Sequence, residues 1–143
     1  MTHLHSAAAH TLAQWHQMVA QRDLSGLAAL IDEQAVFRSP MAFKPYLGST
    51  AMQMVLHTVI TVFEDFNYHR EFVSAEGESV VLEFSARVGD KQLKGIDMLR
   101  FNQQGKIIEF EVMIRPFSAL QALGQEMAQK LAPLMGAYQG AQA

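Results

Sequence analysis

The chain contains no cysteine, which excludes disulfides and thiolate chemistry and fits a reducing, cytoplasmic setting. It has no cluster of Lys or Arg, and its net charge of −3 provides no electrostatic footprint for nucleic acid. No apolar run approaches the length of a membrane span, and Met1-Thr2-His3-Leu4-His5 lacks the basic and apolar regions of a signal peptide, so no membrane partner is expected. Only 4 prolines and 9 glycines are scattered through the sequence, too few for a Pro- or Gly-rich linker, and no internal repeat is visible. What is abundant is apolar: half of the 143 residues are hydrophobic, enough for one folded domain over residues 1–143.

Apolar residues at helical spacing, Ala8, Leu12, Trp15 and Val19, predict a first helix from about Ser6 to Gln21. Asp23 is placed to cap a second, shorter helix that buries Leu24, Leu27, Ala28 and Ile31. Ala35 to Ser39 reads as a short strand with Phe37 and Ser39 on one face, stopped by Pro40. The apolar loop from Met41 to Gly48 is of a kind that covers something. Ser49 is a possible cap for a third helix to about Asp65, with Met52, Val55, Leu56, Val59 and Phe63 in its stripe.

Four β segments follow, Asn67–Ala75, Ser79–Val88, Lys91–Asn102 and Lys106–Arg115, joined so tightly that neighbours must be antiparallel. Alternation sends Val80, Leu82, Phe84, Ala86 and Val88 inward, and Ile108, Phe110, Val112 and Ile114 in the last strand. A helix over about 117–135 carries Leu120, Leu123, Met127, Leu131 and Leu134, and a loose tail is expected over 136–143. The predicted class is α+β: a conical, barrel-like, curved antiparallel sheet packed on three N-terminal helices, with core 6–115 plus the C-terminal helix.

One residue does not fit an apolar interior. Asp97 shares strand parity with Leu93, Leu99 and Phe101, so it points where they point. A carboxyl in an apolar hollow titrates late, donates a proton or needs a dedicated partner, which makes Asp97 the candidate catalytic group. His57, on the margin of a helical stripe, and His69 are possible proton-transfer partners because imidazole titrates near neutral pH. His3, His5, His10 and His16 lack the spacing of a helical ligand set, so no metal is expected.

Two stretches, Arg22-Asp23-Leu24-Ser25-Gly26-Leu27-Ala28-Ala29-Leu30 and Gly95 to Ile107, resemble the nuclear transport factor 2-like superfamily, which includes ketosteroid isomerases and SnoaL-like cyclases. The likeness covers about Ala8 to Arg115. It implies a conical cavity, no cofactor, and a protonated Asp97 that donates to a substrate oxyanion. It also places Trp15 at the isomerases' oxyanion Tyr, Ser39 at their general base and Val112 where an epoxide hydrolase needs a carboxylate. A lone Ser is no general base, so isomerisation by the usual two-group route is not implied.

The expected site lines a cavity with Trp15, Phe37, Ser39, Phe63, Phe84, Asp97, Leu99, Phe110, Val112 and Ile114. Its partner is a small apolar molecule with a carbonyl or hydroxyl, held by Asp97 and Trp15. The alternative is a binding or assembly module whose cone is filled by its own aromatic side chains. The charged and apolar outer sheet face, with Glu83, Arg87, Ile96, Met98 and Met113, suggests a homodimer.

Overall fold

The spacing of Ala8, Leu12 and Trp15 does form one buried stripe, on α1 (Ser6–Gln21). His5 caps it: its Nδ1 accepts from Ala8 N–H at 3.3 Å, leaving Nε2 to donate to the Asn102 carbonyl at 3.1 Å. This ties the start of α1 to the turn between the fifth and sixth strands. Gly105 in that turn has φ 81° and lies so close to Ala7 that a Cβ would collide with its backbone.

The computed structural model describes residues 3–142. After α1 comes a single 3-10 turn, Leu27–Leu30, then β1 (Ile31–Arg38), β2 (Tyr46–Leu47), α2 (Ser49–Val62), β3 (Glu64–Val73), β4 (Ser79–Val88), β5 (Lys91–Phe101), β6 (Ile107–Arg115) and α3 (Phe117–Gln142). The six strands form one sheet in the order β2-β1-β6-β5-β4-β3, and β2 and β3 do not meet, so the sheet curls without closing. β3 to β6 are antiparallel neighbours, as their short connections require, whereas β1 runs parallel to β6 and makes the sheet mixed. Among the described residues no helix is long and apolar enough to cross a membrane.

Several local expectations are corrected. The stretch after Asp23 buries Leu24, Leu27 and Leu30, a spacing of three that suits a 3-10 turn, while Ala28 is exposed and Ile31 already belongs to β1. The residue before α2's first turn is Gly48; Ser49 makes no capping bond and instead accepts from Gln53 at 3.0 Å. In β6 a register shift opposite Arg100 and Phe101 resets the alternation, so Ile107 is fully buried and Ile108 only partly. On α3 the buried positions are Ala119, Leu123, Met127 and Leu131; Leu134 is exposed. That helix also continues to Gln142 through most of the segment expected to be loose, residue 143 lying outside the described residues.

The inward set of β4 is buried as predicted, and with Trp15, Phe37, Phe63 and Phe110 it forms a continuous core under α1, α2 and α3. Trp15 meets Phe110 edge-on at 5.4 Å between centroids, and Phe110 lies 5.8 Å from Phe37. Between this aromatic layer and the helices the cone stays partly empty.

Candidate functional site

β5 sets the first functional side chain. Asp97 stands opposite Leu82 on β4 and Val112 on β6, in the middle of the sheet's concave face, and is 6% exposed. Its Oδ2 accepts a hydrogen bond of 2.5 Å from the hydroxyl of Tyr68 on β3, and the Tyr68 oxygen in turn accepts from Trp15 Nε1 at 3.0 Å. The direction of this chain is fixed at its start, because an indole N–H can only donate. Tyr68 must then spend its one proton on Asp97.

Among the described residues Asp97 Oδ1 has no protein partner, yet no fully buried side-chain oxygen or nitrogen is left unbonded among them. Oδ1 therefore opens onto the cavity. Burial pushes the Asp97 pKa up to about 7, with the Tyr68 hydrogen bond pulling the other way. Tyr68 is raised well above its ordinary value, first by burial and then by the neighbouring Asp97 charge. Near neutral pH Asp97 populates both forms, and when protonated it carries its hydrogen on the oxygen that faces the hollow.

The hollow has a volume of about 350 Å³, near the lower end of the roughly 300–1,000 Å³ of small-molecule sites. The alternative of a cone filled by its own aromatic side chains does not match a hollow of this size. Of the residues expected to line it, Trp15, Phe37, Ser39, Phe63, Asp97, Phe110, Val112 and Ile114 do so. Phe84 and Leu99 do not; both are fully buried in the sheet's packing. α3 closes the wide end with Leu123, Met127 and Leu131, and Met41 of the apolar loop reaches in beside Gly124.

Other expectations are redirected. Trp15 lines the cavity, but its N–H is given to Tyr68 and is not available to a ligand. Ser39, just past β1, accepts from Met41 N–H at 3.0 Å and keeps its own hydrogen free to donate. His57 is exposed on α2 and absent from the cavity wall, and His69 bonds Ser85 Oγ at 2.7 Å on the exposed side. Neither histidine reaches Asp97, because each lies on the face of its element turned away from the cone. His5 is a cap and His16 bonds Glu71 at 2.6 Å; among the described residues no group of three or more His, Asp or Glu side chains is placed to hold a metal.

Tyr68 was not singled out by sequence. The available signal was Phe66-Asn67-Tyr68, an aromatic alternation at the start of β3, but register shifts on both sides of it hide which parity faces inward.

The SnoaL-like domain family matches residues 12–110, and this chain belongs to it, with the nuclear transport factor 2-like fold. A protein named as a steroid delta-isomerase from Pseudomonas aeruginosa is 61% identical, with a TM-score of 0.90 over 93% of this chain and 97% of that one. A Silicibacter pomeroyi protein described as having a cystatin-like fold is 33% identical, with a TM-score of 0.80 over 85% of each chain. The epoxide hydrolase/cyclase-like enzyme SalBIII shares the fold at 16% identity, with a TM-score of 0.64 over 78% of this chain and 92% of that one. A search of curated proteins gives no match.

Proposed function

We propose that this protein binds a compact apolar carbonyl compound and moves a proton on it with Asp97. The observation that carries the reading is a single carboxyl on a mostly apolar wall, with Oδ2 satisfied by Tyr68 and Oδ1 left to a ligand. A group with a pKa of about 7 suits both directions of transfer at neutral pH. Ionised Asp97 takes a proton from the carbon beside the carbonyl, the C–H electron pair becoming an enolate. The same proton, held on Oδ1, then forms a new C–H bond two carbons further along, so a β,γ double bond moves into conjugation. No cofactor is consumed.

Asp97 acts alone in this scheme, because Ser39 and Val112 supply no second carboxylate and no other carboxyl lines the cavity among the described residues. The free Ser39 hydrogen is a candidate donor to the enolate oxygen. The name of the Pseudomonas aeruginosa relative makes a 3-oxo-Δ5-steroid the first substrate to try. With androst-5-ene-3,17-dione, formation of the conjugated enone should be lost by about 10²–10⁴-fold in Asp97→Asn, with circular dichroism unchanged. Activity equal to wild type in that variant would remove the proposal.

The lack of a second carboxyl favours one other reading, capture without turnover. The same mixture separates them, since Trp15, the single tryptophan, reports binding by its fluorescence whether or not enone forms. We propose further that two copies associate through the outer sheet face, where Ile96 and Met98 are half-buried and Met113 is 45% exposed. Sedimentation at micromolar concentration should show a dimer, and Met113→Glu should give monomers.

A further inference from the structure

The cavity has a second charged wall residue that the scheme above leaves unused. Among the described residues, Arg22 and Asp97 are the only charged side chains lining the hollow. Arg22 closes α1 in the left-handed conformation, φ 53°, a position where glycine or asparagine is the usual occupant. Its side chain crosses to the end of α2, donating from Nη1 to the Phe63 carbonyl at 3.3 Å and from Nη2 to the Ile60 carbonyl at 2.5 Å. Those bonds fix the guanidinium plane and use two of its five N–H groups. No described carboxylate lies within 4 Å of it. Burial raises the Asp97 pKa and the Tyr68 hydrogen bond opposes it. Asp97 is engaged by Tyr68 on the sheet while Arg22 is held at the end of α2, so the two charges sit apart along the hollow.

Capping α2 explains two of the N–H groups, since a cation suits a helix C-terminus. It leaves the rest of the guanidinium, exposed at the rim of the cavity with no described carboxylate beside it, open to a ligand group that reaches that end. We propose that Arg22 is a second anchor of this cavity, taking the carboxylate at the far end of an apolar ligand whose carbonyl lies at Asp97. The inference rests on the reading of Asp97 given above and narrows the ligand class to keto acids with a rigid apolar body. A guanidinium with three N–H groups still unused and a full positive charge fits a carboxylate better than a neutral oxygen does.

The test uses a matched pair, 3-oxoandrost-4-ene-17β-carboxylic acid and its methyl ester, titrated into the whole protein with Trp15 fluorescence as the signal. Wild type should hold the acid roughly five- to tenfold more tightly than the ester, the size expected of a partly solvated charge pair. Arg22→Gln should erase that preference while changing ester affinity by less than about twofold, and Asp97→Asn should weaken both compounds alike. Arg22→Lys, which keeps the charge without the fork, should retain part of the preference and serves if Arg22→Gln does not fold. Equal affinity of wild type for acid and ester, or an equal loss for both in Arg22→Gln, would overturn the assignment and leave Arg22 as a helix cap. Failure of wild type to bind the ester at all would instead defeat the reading of the cavity on which it rests.

Discussion

Two carboxylates on adjacent rungs of the same sheet meet opposite fates. Asp97 pairs with Leu82, and the next residue of β4, Glu83, pairs with Ile96, so the two acids emerge from opposite faces a few ångströms apart. Both are 6% exposed. Glu83 is held by Arg70, through Nε at 2.9 Å and Nη2 at 2.7 Å, and by Lys94 at 2.9 Å; Arg70 first and Lys94 second keep its carboxyl far below the usual range. Asp97 has one neutral donor and no cation, and its pKa rises to about 7. Similar solvent exposure thus accompanies a permanently ionised structural group on one side and a proton carrier on the other. What differs is the cover: Glu83 lies under two exposed cationic side chains on the outer face, whereas Asp97 is enclosed in the apolar core with one neutral donor.

The largest effect expected from breaking this asymmetry is on the inner face. Folding raises Asp97 from 3.8 to about 7, so between those values the folded chain binds more protons than the unfolded one. Stability therefore falls as pH rises through that window, by roughly 4 kcal/mol in total, and is flat beyond it. Asp97→Asn keeps the shape and the acceptor for Tyr68 but removes the charge. Urea unfolding should show the variant matching wild type near pH 4 and exceeding it by up to about 4 kcal/mol at pH 8. Parallel stability curves for the two proteins would mean that Asp97 is not buried as an acid.

Glu83→Gln tests the other face and must show the opposite sign. A carboxyl depressed by folding contributes stability above its unfolded pKa and loses it as pH falls. The variant should be less stable than wild type at pH 7, with the gap closing as the pH drops below about 4. The loss should be smaller than the Asp97 effect, because the Arg70 and Lys94 side chains, 69% and 51% exposed, return to water easily. Enzymatic or binding activity should not move. A gap that widens toward low pH would show that the outer cluster is not held by charge.

The same two residues show what could be read without coordinates. Asp97 was legible because a charged side chain on an unbroken apolar parity is a local contradiction that a strand cannot hide. Glu83 looked like an ordinary outer-face charge, and its burial comes from Arg70 on β3 and Lys94 on β5, partners set by register across three strands. α1 and β4 were placed to the residue because period and breakers agree there. The Asp23 segment was read as a helix because spacings of three and four are hard to tell apart over two turns, and Ile108 was placed inward because a bulge leaves no mark in composition. Tyr68 escaped for the same reason: its role depends on lying across β4 from Asp97, a long-range pairing. The strand containing it was found and its orientation was not.

The smallest of these effects probes why Asp97 is poised near neutrality rather than higher. The Tyr68 hydroxyl favours the ionised form, so Tyr68→Phe should raise the Asp97 pKa above its present value of about 7. A hydrogen bond to a charged acceptor corresponds to about 1.5–3 kcal/mol, which places the shift at roughly one to two pH units. The alkaline rise in proton-transfer rate, or the midpoint of a ¹³C-carboxyl titration where no turnover is seen, should move up by that amount. At pH 7 the variant would then hold mostly the protonated form and act poorly as a base. A merely structural Tyr68 would lower stability and leave the midpoint unchanged, since the lost Trp15 contact touches only packing and one indole N–H. A shifted midpoint would identify Tyr68 as the residue that keeps the inner carboxyl within reach of ionisation.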